Sequence, residues 1–313
     1  MNRFISLDKY FLVWTETRKQ IIKESTLYMY KCNYYNHISP CIGKMMIMHV
    51  GRKDVLKVQA ELKGTISAAT INLVIRILKA VLSDARRDGF IKNNPAEGIK
   101  QIRQNGDALL TTHRALSIDE QREFMSEAKG QYYYEFLAFL VTTGMRVGEA
   151  AALKWKDIDL KEDVVHITKT MTYDSEGRRI VGDSPKSLSG MRDIPINNSI
   201  REVINLQIRK SENISAECRV FQAKRGGYVL DSTINRAIAA IIEKMNKKGY
   251  NIGMFSAHAL RDTFATRFIE QGGKVHTLKT ILGHSSIAVT MDIYAHVLPN
   301  TRKSEMNKVH III

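Results

Sequence analysis

Over most of its 313 residues this chain repeats its apolar positions at three- and four-residue steps, and it changes to alternation in a short stretch near the middle. That switch of period constrains the fold to a mainly α protein with a small antiparallel β-sheet, an α+β class. The helical period is cleanest at Ile71, Val74, Ile75, Leu78, Val81 and Leu82, with Arg76, Lys79 and Arg86 interleaved, so this segment is an amphipathic helix with a basic margin. An earlier helix is expected to begin near Ser25 and Thr26, whose side chains can cap it, and to run through TLYMYKCNYYNHI until Ser39 and Pro40 stop it. Of its tyrosines Tyr28, Tyr30, Tyr34 and Tyr35, at least half are assigned to packing and the others to contact with a partner.

The turn formers of DGFIKNNPAEG end the long helix, and IKQIRQNGDALLTTHRALS reads as an extended basic connection. The expected division is a helical domain over 1–105, a linker over 106–114 and a second domain over 115–313. Ser117 followed by Glu120 forms a capping box that opens the helix SIDEQREFMSEAKG. VVHITKTMTY then alternates and is rich in β-branched residues, DSEG supplies a turn and RDIPI another strand. Helical periodicity returns in INRAIAAIIEKMNKKG, HALRDTFATRFIEQGG and VHTLKTILGH. Trp155 and Leu153 read as core.

A formal net charge of +15 calls for a polyanionic partner, and no apolar run approaches membrane-spanning length, so nucleic acid is favoured over a membrane. The excess is uneven: residues 1–114 hold 19 Lys and Arg against 9 Asp and Glu, and residues 115–313 hold 28 against 23. The smaller segment therefore grips phosphates and the larger one has another task. Cys32, Cys41 and Cys218 are odd in number and scattered, which indicates neither a disulfide framework nor a zinc site and fits a reduced cytosolic setting. His37 and His49 near the first two cysteines are at irregular spacing and are assigned no metal. The opening MNRFISLDKYFLVW carries Asp8 and Lys9 before a short apolar run and does not read as a signal peptide.

The chemistry concentrates in the second half: Arg146 in TGMRVGEA, Lys186 in PKS, His258 and Arg261 in HALRDTFAT, His284 in LGH and Tyr294 in MDIYAHV. Each fragment alone has a plainer reading. Arg146 can pair with Glu149 across one helical turn, a His-x-x-Arg can be a surface pair, and a hairpin lysine is usually solvated. The ordered combination, with a tyrosine ten residues after the histidine of LGHSS, is specific, and on these motifs the chain resembles the tyrosine recombinase family. The resemblance spans nearly the whole chain, and the N-terminal segment ending in GFIKNNPAEGI is similar to the family's core-site DNA-binding domain.

The resemblance implies a metal-free and cofactor-free strand transfer. Arg146 and Arg261 would clamp the non-bridging oxygens of a DNA phosphodiester through forked N–H donors. Tyr294 would be the nucleophile, giving a 3′-phosphotyrosine and a free 5′-hydroxyl. Lys186 would protonate the leaving oxygen, His258 would assist proton transfer at the tyrosine, and His284 would donate to the phosphate. Glu149 would hold the Arg146 turn, Gly144 and Gly148 would allow close backbone approach, and Thr263 and Phe264 would pack. Tyr132, Tyr133 and Tyr134 are rival nucleophiles by residue type only, since they precede the arginine and lack the LGH context.

Within the family, SPKSLSGMRDIPI resembles the hairpin of phage and conjugative-element integrases more than the shorter one of Xer proteins, so a mobile-element integrase leads and a Xer-type dimer resolvase follows. A type IB topoisomerase and a non-catalytic DNA-binding regulator are the readings from other classes. Many such integrases carry an arm-binding domain, for which there is no room before residue 8, so the expectation is either that this member recombines without arm sites or that the upstream part is missing. The implied partners are double-stranded DNA and, on two recombination sites, a homotetramer that is monomeric or weakly associated when free, with an accessory DNA-bending or excision factor as an option. The implied setting is the bacterial cytoplasm, at the nucleoid. Beyond about residue 297 the tail LPNTRKSEMNKVHIII ends in Val309 and Ile311 to Ile313, and it is read either as a frayed terminus or as a segment that docks on a neighbouring protomer.

Overall fold

The amphipathic run around Ile71 forms helix α4, Ala68–Arg87, started by Ser67, whose hydroxyl accepts the Thr70 amide proton in a computed structural model of the chain. The structure describes residues 4–103, 114–182, 190–284, 286, 287 and 291. All six apolar residues that set the period of α4 are buried, each stabilising the fold by about 1.5–3 kcal/mol. Arg76, Lys79 and Arg86 face outward.

Two compact units emerge, Met1–Gly106 with Tyr173–Ile180, and Asp107–Thr172 with Val181–Ile313. In the first, α4 joins α1 (Leu7–Arg18), α2 (Glu24–Asn33) and α3 (Arg52–Leu62). Phe11 of α1 stacks on Tyr34 with ring centroids 3.6 Å apart, and the Tyr34 hydroxyl donates to Asp8. Buried Asp84 of α4 accepts from the Trp14 indole at 2.7 Å and pairs with Arg18 and Arg87, which compensates for taking its charge out of water.

Helix α2 departs from the sequence reading at both ends. Its cap is Lys23 rather than Ser25 or Thr26, because the carbonyl of Lys23 already accepts the amides of Thr26 and Leu27. Nor does Pro40 stop it: α2 runs straight into a π-helical segment, Tyr34–Gly43, with Pro40 inside. Proline removes one hydrogen-bond rung, and the wider π turn relieves the clash of its ring with the preceding turn. Tyr34, Ile38 and Ile42 recur at four-residue steps on the buried face and anchor the segment. Tyr34 is thus core, whereas Tyr35 is exposed.

The second unit is built around α6 (Tyr134–Thr143), which is buried from Phe136 to Val141 and so lies inside the domain. Around it stand α5 (Ile118–Ala128), α7 (Val147–Ala152), α8 (Asn198–Lys210), α9 (Asp231–Lys247), α10 (Ala257–Glu270) and α11 (Val275–Leu282). The Ser117/Glu120 capping box opens α5 as expected. Leu153 and Trp155 are in the core.

The alternating stretch is not one strand. It breaks at Thr168 and Lys169 into β2 (Val164–Ile167) and β3 (Thr170–Tyr173), which serve different sheets. The first sheet, in the order β1-β2-β5, joins β1 (Ile158–Asp159) and β5 (Arg192–Pro195) to β2, and the second pairs β3 with β4 (Arg179–Gly182). The antiparallel register sets Val165 opposite Ile194 and Ile167 opposite Arg192. All four are buried, so an arginine occupies a position where the pleat calls for an apolar residue.

Among the described residues, no helix is long and apolar enough to cross a membrane, and no group of three His, Cys, Asp or Glu side chains is placed to hold a metal. The three cysteines are free.

Candidate active site

Helix α6 ends at Gly144, which takes the left-handed conformation (φ 65°) that glycine adopts without strain. A methyl group there would also stand 2.4 Å from Phe264 Cδ1 and 2.9 Å from Leu282 Cδ2. The chain turns two residues later into α7, with Arg146 at its cap position. The Glu149 carboxylate reaches back to the Arg146 amide (3.0 Å) and to its Nη1 (2.8 Å). Gly148 lets α7 approach strand β3, since a Cβ would meet Thr170 Oγ1 at 2.9 Å and the Met171 carbonyl at 3.2 Å. Glu149 is buried while the Arg146 side chain is 42% exposed, so the guanidinium is fixed from behind and offered in front.

A second guanidinium enters from α10. Arg261 is buried and donates from Nη1 to the Gly144 carbonyl and from Nη2 to the Leu282 carbonyl, both at 2.7 Å. It thereby ties the turn before Arg146 to the end of α11, two residues before His284. Thr263 fixes α10 in its turn, donating to Ala259 and accepting the Leu116 amide.

A third guanidinium, Arg192 of β5, was not singled out in the sequence. Its Nη1 and Nη2 grip the two oxygens of Glu149 at 3.1 and 2.8 Å, and its Nε donates to the Ile281 carbonyl. The available signal was its alternation with Ile194 and Ile196, which places a charge on the inner face of the strand where only a paired one is tolerated.

Electrostatics show that these groups share one site. Burial pulls the Arg261 pKa down to about 9, with the positive charges of Arg146 and Arg192 adding and the negative charge of Glu149 opposing. Burial likewise lowers His284 to about 4, followed by repulsion from Arg261, Arg146, Arg192 and His258. His284 is therefore neutral at neutral pH and can donate a single ring N–H. Glu149 stays below the usual carboxylate range: burial pushes it up, and the hydrogen bonds and charge of Arg192, with Arg146 behind them, outweigh burial. Three arginines around one glutamate leave a positive surplus, the environment that a phosphodiester and its extra transition-state charge require. His258, in the first turn of α10, is nearly half exposed and lies 3.8 Å from Asp262 Oδ1.

Five of the sequence-derived residues, Arg146, Glu149, His258, Arg261 and His284, are thus brought together, with Gly144 and Gly148 shaping the turn. Lys186 and Tyr294 lie outside the described residues, as does the tail from about 297. Tyr132, Tyr133 and Tyr134 sit at the start of α6, whose ten residues separate them from Gly144 by about 15 Å. Arg76, Lys79 and Arg86 belong to the other unit.

The comparison with known proteins accords with this architecture. Residues 114–301 match the phage integrase family, and residues 6–63 match the phage integrase N-terminal SAM-like domain. The chain belongs to the phage integrase family. It is 27% identical over 251 residues to a tyrosine recombinase XerC-like protein of Caldanaerobacter subterraneus subsp. tengcongensis, covering 75% of this chain and 64% of that protein. It is 25% identical over 300 residues to the ICEBs1 integrase of Bacillus subtilis, covering 89% and 77%. In fold it is similar to a solved fragment of the Tn1549 transposon integrase in complex with a circular intermediate DNA, with a TM-score of 0.80 and 22% identity over 98% of this chain and 100% of that fragment. The chain therefore spans about two-thirds of the first of these relatives.

Proposed function

We propose that this chain is a site-specific DNA recombinase of the mobile-element integrase type, which cleaves and rejoins DNA through a 3′-phosphotyrosine. The observation that carries the reading is the cluster of Arg146, Arg261 and His284 beside a fully engaged Glu149, an anion site whose donors are already oriented. In this reading Arg146 and Arg261 neutralise the non-bridging oxygens, and His284 adds a hydrogen bond. The Tyr294 oxygen attacks phosphorus and its proton leaves toward His258. The bond from phosphorus to the 5′-oxygen breaks, and Lys186 protonates that oxygen. The reverse steps, with the 5′-hydroxyl of another strand, rejoin the DNA. No nucleotide is consumed, because the phosphotyrosine conserves the energy of the broken linkage.

Residues 1–105 then act as the core-site DNA-binding domain and 115–313 as the catalytic domain, with four protomers on two sites exchanging strands in pairs. Arg76, Lys79 and Arg86 are assigned to backbone phosphates, which position the protein without reading sequence. The kinship with the ICEBs1 integrase supports a conjugative-element role, while the XerC-like relative keeps dimer resolution as the second reading. Recombination of element ends, as opposed to a pair of identical chromosomal sites, separates the two.

A suicide substrate, nicked so that the cleaved fragment diffuses away, tests the chemistry. The wild-type protein should accumulate a covalent protein–DNA adduct and Tyr294→Phe should give none. An equal signal from Tyr294→Phe would remove the assigned nucleophile, and a wild type that never forms the adduct would remove the reading as a whole.

A further inference from the structure

We infer that Arg192 is a positioning residue of the strand-cleavage site, locking the Glu149 that orients Arg146 to the end of α11 that presents His284. The inference rests on the recombinase reading above and adds to it a residue that does not touch DNA.

Four hydrogen bonds carry it. Nη2 donates to Glu149 Oε2, Nη1 to Glu149 Oε1 and to the Gly190 carbonyl (3.0 Å), and Nε to the Ile281 carbonyl. The first two, with the two bonds from Arg146, occupy both carboxylate oxygens from two sides. Glu149 therefore has one rotamer, and Arg146 has one origin from which its exposed donors project. The fourth bond sets the last turn of α11 relative to that frame, and His284 follows three residues after Ile281. Arg261 makes the parallel connection from Gly144 to Leu282. Two buried guanidiniums thus span the same gap, one leading to the turn before Arg146 and one to its carboxylate.

Stability alone is a weak reason for such a residue. Arg192 lies opposite Ile167 on an inward face shared with Val165 and Ile194, and a buried ion pair can often be replaced by apolar side chains without loss. Orientation is the stronger reason. A planar fork fixes a carboxylate in angle as well as distance, and lysine, with three donors on one nitrogen, cannot make the four bonds that Arg192 makes to two Glu149 oxygens and two carbonyls.

The charged neighbours of Glu149 are Arg146 on its own helix, Arg192 from β5 and Arg261 from α10. Asp262, His258 and His284 belong to the same cluster. Neutralising Arg192 leaves burial opposed by Arg146 and Arg261 alone, so the Glu149 carboxyl titrates at higher pH than in the wild type.

The test uses the full chain, the suicide substrate under single turnover, and Arg192→Gln alongside Arg192→Lys, which keeps the charge should the neutral variant melt below the assay temperature. Wild-type adduct formation with none from Tyr294→Phe is established first, and its failure overturns the recombinase reading rather than the role of Arg192. Given that result, both variants should bind site DNA within about twofold of wild type and form adduct about 100-fold more slowly, the scale of loss for a misplaced catalytic group. Arg192→Gln alone should gain an acid limb, its rate falling as the pH is lowered through a range where the wild type is flat. Wild-type rates in folded variants overturn the inference. So does a parallel loss of DNA affinity and rate with an unchanged pH profile, which would make Arg192 a residue of the fold only.

Discussion

Glu149 is the residue on which the site balances. Truncation by Glu149→Ala leaves Arg192 buried without its carboxylate, and we expect a loss of about 3–5 kcal/mol in urea unfolding, far above a surface substitution. A loss below about 1 kcal/mol would mean that the pair is solvated. His284 gives a second expectation. Its pKa is lowered from the ordinary 6.5 to about 4 in the fold, so between these values the unfolded chain binds a proton that the folded one does not. Stability should therefore fall as the pH drops from about 6.5 to about 4, and His284→Gln should flatten that part of the urea-derived profile. An unchanged slope would place the imidazole in water. The motif arginines and histidines were readable because each stands in a local pattern that spans a few residues. Arg192 was not, because its partners Glu149 and Ile281 are 43 and 89 positions away, and only the strand register brings them together.

Elements were legible where their own side chains decide the outcome. Helix α4 has a period, a Ser67 cap and a basic last turn, and it forms as read. The end of α2 was misread because Pro40 is tolerated through the burial of Tyr34, Ile38 and Ile42 against other helices, which no local rule contains. VVHITKTMTY was read as one strand because alternation cannot report that its two halves pair with different partners. The turn between α6 and α7 gives a sharper test. Gly130 and Gly144 both have positive φ, but a Cβ at Gly130 meets nothing within 4 Å. Gly130→Ala should cost about 1–2 kcal/mol from backbone strain alone. Gly144→Ala should exceed it by about 1–3 kcal/mol because Phe264 and Leu282 must move, and urea unfolding of the two variants measures the difference. Equal costs would show that the turn relaxes without disturbing the site.

For the whole molecule, the positive charge is weighted toward the first 114 residues, and a DNA partner makes that weighting measurable. Plotted as log K against log salt concentration, affinity should fall steeply, and removing one phosphate contact should reduce the slope by about 0.9. Arg76→Ala and Lys79→Ala should each show about that reduction. Arg86→Ala should show less, because Glu97 lies 3.7 Å from its guanidinium and already competes for it. Fluorescence anisotropy over a salt series reads all three, and three unchanged slopes would move the DNA to another face of α4. The unevenness of charge was countable from the sequence, and the helical period already set Arg76, Lys79 and Arg86 on the outward margin of α4, whereas the ion pair of Arg86 with Glu97 required the fold.

The two carbonyls at the end of α11 are each held by a buried guanidinium, Ile281 by Arg192 and Leu282 by Arg261. A helix C-terminus carries partial negative charge, which ordinarily favours protonation of a histidine placed just beyond it. Here two cations already face that dipole, and their own field acts on His284 with the opposite sign. Burial first, and that field after it, keep the imidazole a neutral donor, and the helix end that would have made it an acid instead anchors the arginines beside it.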